Sequence, residues 1–316
     1  MKKTIAIVLA CLMTLILLTA CGGNDTPANP SSESNLPANP PPANPPPANP
    51  PPANPPPAPS ASFDKDRVIA VFTREDGSGT RDAFVSITGV GDDMYIEAVV
   101  QNETAQILTS VETNETGIGY VSVGSLSPNV KALEIDGVVP SNETIMDGTY
   151  SLQRPFLVAV TAEKNDDPLV KDFIDFMLSI EGQALSARRN TEAVSNPVAY
   201  SPSGLTGVIK IGGSTSVEPL MQLLREAYIA HNPGIEVEIS GGGSGTGINE
   251  AISGVLDIGM SSRSLRDNEK ETLTDIVIAL DGVAVIVNAA NPLNGLSIEE
   301  IREIFTGEKT RWNQVS

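Results

Sequence analysis

The sequence reads as an α/β protein on two observations. Short apolar runs alternate with amphipathic segments along most of the chain, the pattern of strands followed by helices. Two glycine–serine turns, Arg74-Glu-Asp-Gly-Ser-Gly-Thr-Arg81 and Gly241-Gly-Gly-Ser-Gly-Thr-Gly247, each sit between a β-like run and a helix-like run. These turns bear on function as well as fold. The first turn of a helix leaves about four backbone N–H groups without partners, and with the helix dipole these make an anion site. Glycines let the backbone come close to the anion, and Ser and Thr hydroxyls add donors. Two such turns in one chain point to an oxyanion gripped from two sides.

The elements follow in order along the chain. Lys2 and Lys3 form a basic start, Ile5 to Leu18 an apolar run, and Leu18-Thr-Ala-Cys21 places small residues before a cysteine. The run is too short and wrongly flanked for a transmembrane helix, so residues 1–21 read as an export signal. A cysteine at that point resembles a bacterial lipobox, which implies a lipid-modified Cys21 at the mature N-terminus. An ordinary signal with an incidental cysteine is the plainer reading. Residues 22–62 form a Pro/Ala/Asn-rich linker in which Ala38-Asn-Pro-Pro-Pro42 recurs from Ala43, Ala48 and Ala53. Such a stretch builds no core and extends as polyproline, reaching on the order of 120 Å at ~3.1 Å per residue. It reads equally as a wall-spanning tether or as a passive spacer.

The remaining roughly 250 residues suit one or two domains. Arg67 to Phe72 and Val208 to Ile211 are predicted strands, each leading into a Gly/Ser/Thr turn. Ile235 to Ile239 alternates apolar residues with glutamates, a half-buried strand, and Val283 to Val287 is continuously apolar, a fully buried one. Pro219 to Tyr228 repeats Leu220, Leu223, Leu224 and Ala227 at helical spacing, and Leu169 to Ile180 does so with Phe173, Ile174, Met177 and Ile180. Helices are also expected over Thr80 to Phe84 and Ile248 to Val255. Ser297-Ile-Glu-Glu300 is a capping box that opens a helix over Ile298 to Phe305.

Composition narrows the function. The chain has two cysteines, one of them inside the signal, and one histidine, so a disulfide framework and a cysteine-metal site are excluded and neither a zinc site nor a Ser-His-Asp triad is expected. His231 falls in an expected helix-to-strand loop, a surface position. No metal and no cofactor are expected, and no catalytic residue is identified. A formal net charge of -19 argues against nucleic acid. It leaves a small anion open, because backbone and hydroxyl donors hold an anion by short hydrogen bonds whatever the long-range field.

Four stretches carry the candidate donors. In Ile211-Gly-Gly-Ser-Thr-Ser-Val-Glu-Pro-Leu220, Thr215 or Ser216 is placed to cap the next helix and Pro219 suits its first turn; a plain cap is the alternative to a ligand role. Gly241 to Gly247 lacks a Walker lysine and matches the dinucleotide fingerprint weakly; linker glycine is its alternative. Asp257-Ile-Gly-Met-Ser-Ser-Arg-Ser-Leu265 sets three serines around Arg263, and is otherwise a capped helix start. In Arg74 to Arg81, Arg74 offers a fork matched to phosphate, Ser78, Gly79 and Thr80 offer donors, and Asp76 is placed to orient Arg74 or take a proton from the ligand.

Gly213-Ser-Thr-Ser, Gly243-Ser-Gly-Thr-Gly, Asp257-Ile-Gly-Met-Ser-Ser-Arg and the Arg74 turn together resemble the signature turns of bacterial phosphate-binding proteins. Those are the extracytoplasmic substrate-binding components of phosphate ABC transporters. Asp281-Gly-Val-Ala-Val-Ile-Val-Asn288, Leu296 to Gly307, Gly117-Ile-Gly-Tyr120 and Ile135-Asp-Gly-Val-Val-Pro140 are similar as well, so the resemblance spans residues 64–316. It implies a two-lobed, periplasmic-binding-protein-like α/β fold of the type II class, with phosphate in the cleft between lobes. It also implies a phosphate site of Ser214, Thr215, Ser216, Ser244, Ser262, Arg74, Ser78, Gly79 and Thr80, with Asp76 beside it.

Two departures stand out. Some members carry a carboxylate, able to accept the proton of phosphate, where this chain has Ser262; rejection of sulfate then rests elsewhere, on Asp76 for instance, or is looser. The order also differs, because the Arg74 turn precedes the Gly213 and Gly243 turns. The chain therefore reads as circularly permuted, with Asn196 to Gly207 joining the family's usual ends. That predicts one continuous lobe, lobe I, over 153–284, and lobe II assembled from 64–152 plus 285–316. The end at Ser316, where the family runs on into a strand, leaves a piece of a longer tandem protein as an alternative. The function expected is a lipid-anchored receptor on the extracytoplasmic face of the cell membrane, of Gram-positive type. It is not an enzyme; it binds inorganic phosphate and delivers it to ABC transporter permease subunits. A surface signalling or adhesion module on the same fold is the other reading.

Overall fold

The computed structural model describes residues 63–189, 191–192 and 196–315. The expected signal, Cys21 and the linker over 22–62 lie outside these residues. Among the described residues no helix is long and apolar enough to cross a membrane.

In chain order, β1 (Ala70–Arg74) runs through the first glycine–serine turn into α1 (Gly79–Thr88), and β2 (Val99–Gln101) runs into α2 (Thr104–Thr113). β3 (Gly117–Ser122), β4 (Val130–Ala132), β5 (Glu134–Ile135) and α3 (Asn142–Met146) follow. β6 (Gln153–Thr161) leads to α4 (Ala162–Asp166), α5 (Pro168–Met177), α6 (Ile180–Ser186) and β7 (Thr191–Glu192). The second half alternates strand and helix: β8 (Gly207–Gly213), α7 (Glu218–His231), β9 (Ile235–Ser240), α8 (Ser244–Ile252), β10 (Ile258–Ser261) and α9 (Asp267–Lys270). β11 (Leu273–Asn288), β12 (Gly295–Leu296) and α10 (Ile298–Phe305) close the order.

One mixed sheet runs β2-β1-β3-β11-β6-β10-β8-β9. β1 is parallel to β2 and β3, and β8 is parallel to β9 and β10. The two parallel sets are joined by antiparallel pairing of β11 with β3 on one side and with β6 on the other, while β6 pairs β10. The same long strand therefore serves two cores. Ile278 and Ala279 join Phe156, Val158, Phe173, Leu220 and Tyr228 in one. Val283, Val285 and Val287 join Ile69, Phe84, Tyr120, Ile304 and Phe305 in the other. Ala284 and Ile286, on the opposite face, pack with Phe72, Ile107 and Val111. Burial on both faces explains why Val283 to Val287 has no polar alternation.

Boundaries move where local chemistry intervenes. The expected Leu169 to Ile180 helix ends at Met177 instead. Ser179 Oγ donates to the Phe176 carbonyl at 2.6 Å and accepts from Gly182 N at 3.1 Å, so the serine closes one helix and caps the next. α8 begins at Ser244, four residues ahead of the expected Ile248, because Gly243 takes φ 90°, a conformation that favours glycine. His231 is exposed but lies in the last turn of α7 rather than in a loop. The expected strand at Arg67 to Phe72 starts three residues later, and Val68 makes only an isolated bridge to Arg311.

Candidate functional site

The four candidate turns all follow the carboxyl ends of parallel strands: β1 in one set, β8, β9 and β10 in the other. Ligands in open α/β sheets bind at that end of the strands. The two turns with the strongest sequence signal meet directly, since Gly245 N donates to the Gly77 carbonyl at 2.9 Å. Gly79 is pressed so close that an added Cβ would lie 2.3 Å from Ser244 Oγ and 2.7 Å from Ser262 Oγ. No side chain fits there, which accounts for glycine at that position.

Around this contact the hydroxyls form a connected cluster. Thr80 Oγ1 and Ser216 Oγ lie 2.8 Å apart. Ser214 Oγ donates to Ser262 Oγ at 3.0 Å, and Ser262 N donates to Ser244 Oγ at 3.1 Å. Neither Thr215 nor Ser216 caps α7 as expected: the cap position is Val217, without a side-chain bond, and Ser214 Oγ instead closes the turn ahead of it, accepting from Ser216 N and Val217 N at 3.3 and 3.4 Å. Pro219 takes its place in the first turn of α7. Ser78 is 1% exposed and caps α1, accepting from Arg81 N.

Arg74 is buried, and its surroundings differ from the expectation. Its Nε and Nη2 donate to the two carboxylate oxygens of Glu75, both at 2.8 Å. Nη1 reaches Thr104 Oγ1 and Nη2 the Asn102 carbonyl, each at 3.2 Å. Asp76 does not orient Arg74. Its side chain is 92% exposed and ion-paired with Arg81, because the turn directs neighbouring carboxylates to opposite sides. Tyr120, buried beside the cluster, pairs with Thr73 Oγ1 at 2.7 Å and accepts from Arg74 N. Burial pushes its phenol up to about 12, so it stays neutral.

Glu75, Asn102 and Thr104 are absent from the sequence reading. Thr104 Oγ1 lies 3.2 Å from both Thr215 Oγ1 and Ser216 Oγ, which places it at the centre of the cluster. A signal existed: Val99-Val-Gln, a polar turn, then Ile107 and Val111 repeat the strand–turn–helix order of the other turns, though without a glycine to mark it. Among the described residues no group of His, Cys, Asp or Glu is arranged to hold a metal ion.

A cluster of amide and hydroxyl donors at the carboxyl ends of two parallel strand sets is the design of an α/β ligand-binding protein. The PBP superfamily domain matches residues 61–181 and 193–316. Phosphate-binding protein PstS 2 of Streptococcus pneumoniae (TIGR4) is 42% identical over 256 residues, covering 78% of this chain and 87% of that protein. Its namesake from Streptococcus agalactiae serotype V is 40% identical over 258 residues, covering 78% and 88%. The crystal structure of a phosphate ABC transporter phosphate-binding protein from Streptococcus pneumoniae TIGR4 superimposes with a TM-score of 0.66 at 41% identity, over 79% of this chain and all of that one. The chain belongs to the PBP superfamily and, within it, to the family of the PstS phosphate-binding proteins.

Proposed function

We propose that this protein binds inorganic phosphate at the hydroxyl cluster and supplies it to the permease of an ABC transporter. The observation that carries this is the hydrogen-bonded convergence of Thr80, Thr104, Ser214, Ser216, Ser244 and Ser262, joined to buried Arg74 through Thr104. Hydroxyls donate to an oxyanion as readily as to each other, so an arriving phosphate takes over bonds they now exchange. Thr215, Ser78 and Gly79 complete the proposed site; Asp76 stands at its outer edge. Binding is the activity, and the site holds no base set against a nucleophile.

Arg74→Ala removes the charged donor and is expected to weaken phosphate binding by more than ~1.5 kcal/mol, the lower range for a charged hydrogen bond. Ser244→Ala is expected to weaken it less. Titration calorimetry checks both, and two variants that bind phosphate like the parent sink the assignment.

The family context also supports export and anchoring through Cys21 on the extracytoplasmic side, which labelled-lipid incorporation into Cys21→Ala and parent chains tests. The proposed lobes, 153–284 and 64–152 plus 285–316, are supported by the two cores that β11 connects, with Val283 and Ala284 packing in the second lobe's clusters. Circular permutation is favoured by the meeting of the two ends of the described chain: Ile69 N donates to the Thr310 carbonyl and Asn313 N to the Lys65 carbonyl, both at 2.8 Å, and the Phe63 and Trp312 rings are 6.1 Å apart. A gene that encodes 207–316 before 64–200 tests it; phosphate binding lost on reordering argues against it.

A further inference from the structure

We infer that Arg189 captures phosphate at the mouth of the proposed site and raises the rate at which the ion enters. This deepens the proposed phosphate reading and rests on it. The mouth is the cavity of about 730 Å³ that borders Thr104 and Thr215. Its charged wall residues are Glu103, Glu218 and Arg189, two carboxylates and one guanidinium. The chain as a whole repels an anion, with a formal net charge of -19. Charges farther off than ~8 Å are largely screened at physiological ionic strength, so the groups in the mouth decide how readily an anion enters.

The other arginines around the site are already engaged. Arg74 is buried and holds Glu75. Arg81 pairs with Asp76, and Arg263 with Asp82 and Glu269. Arg189 is exposed, and among the described residues no ion pair engages it. Its Nη1 donates to the Gly124 carbonyl at 3.3 Å, a long bond to a neutral acceptor. The backbone fixes both ends of that bond. Arg189 N donates to the Ser186 carbonyl at 3.1 Å, continuing the end of α6, and Gly124 N donates to Ser122 Oγ at 3.1 Å in the turn after β3. The side chain therefore reaches from α6 to that turn and holds its guanidinium at the cavity wall. A phosphate oxygen is a charged and stronger acceptor than a carbonyl, and the planar fork suits it. An entering ion takes Arg189 from Gly124 and passes on to the Thr104 and Thr215 hydroxyls of the same wall. Once bound, the ion rests on the hydroxyl cluster and Arg74, so Arg189 governs entry and leaves release unchanged.

Rapid mixing of the full-length chain with radiolabelled inorganic phosphate gives the association rate, and a chase with unlabelled phosphate gives the release rate. Arg189→Glu should slow association by about fivefold or more at low salt, since one unit charge ~4 Å from a monoanion is worth about that factor in water. Release should stay within about twofold. The deficit should shrink below about twofold at roughly 0.5 M salt, where the charge is screened; a residue that only shaped the cavity would give a deficit independent of salt. Arg189→Lys should keep most of the parental rate. Parental association by Arg189→Glu at low salt, a deficit that high salt leaves intact, or a change confined to release would each overturn the capture role and leave the proposed function standing. A parent chain that takes up no labelled phosphate would remove both.

Discussion

Nε and Nη2 of Arg74 are held by Glu75 while Nη1 faces Thr104, so an anion that reaches this guanidinium meets one already paired with a carboxylate. Glu75→Gln removes the competing charge and is expected to tighten phosphate binding by about 1.5 kcal/mol or more, the worth of a charged hydrogen bond; unchanged or weaker affinity by calorimetry would show that Glu75 holds Arg74 in place instead. Gly79→Ala drives a methyl into Ser244 and Ser262. It should destabilise the packed arrangement by ~1–3 kcal/mol, as overpacking does, and weaken phosphate at the same time; a variant with parental melting and affinity would contradict the close contact. At this scale the sequence was readable wherever glycine marked a turn. Ser244 and Thr80 lie on such turns, whereas Ser262 comes from the run of serines around Arg263. Thr104 was missed because its turn has none, and Glu75 was exchanged for Asp76 because spacing does not say which of two adjacent carboxylates turns inward.

The strands that join the two cores carry a charge pair that neither end of the site uses. Arg154 on β6 donates from Nε to Asp281 Oδ2 on β11 at 3.0 Å, and Ser122 Oγ donates to Asp281 Oδ1 at 2.8 Å. Burial raises the Asp281 carboxyl and lowers Arg154, each opposed by the other's charge. Losing one partner of such a pair leaves the other buried without its counter-charge, so Asp281→Asn is expected to cost ~3–5 kcal/mol in urea denaturation. A cost under ~1 kcal/mol would mean that the pair adds little. Where a capping residue marks it, a helix start was legible: the Ser297 capping box forms as expected, with Ser297 Oγ accepting from Glu300 N at 3.2 Å. Long strands were legible only in part. Val283 to Val287 stood out, but the earlier half of β11, with Thr274 and Asp275, has too mixed a pattern to be joined to it before its partner β6 is known.

Asp82 links the two cores, since it stands on α1 yet is ion-paired with Arg263, Nε to Oδ2 at 2.9 Å, and accepts from Arg266 Nη2 at 2.7 Å, beyond β10. If phosphate binds to this compact arrangement, Asp82→Asn weakens it several-fold without touching the ligand, through the population of the competent state; stopped-flow release should be faster. Nearby, Glu269 is held below the usual carboxylate range: burial alone would raise it, but hydrogen bonds from Arg263 and Arg266 N outweigh that. A lowered folded value gives stability that is present above the unfolded value near ~4.3 and lost as pH falls through the folded one. Melting should therefore drop on acidification below about pH 5, and drop less in Glu269→Gln. The family and its α/β fold were legible in combination, through turns that are individually ambiguous. The contacts of residues 65–69 with 310–313 fall within the lobe expected from both ends of the chain, 64–152 plus 285–316. The central claim is that these turns hold phosphate, and titration of the full-length chain with inorganic phosphate in chloride buffer tests it most directly. One saturable site per chain is the expected result; no saturable heat at millimolar phosphate would contradict it.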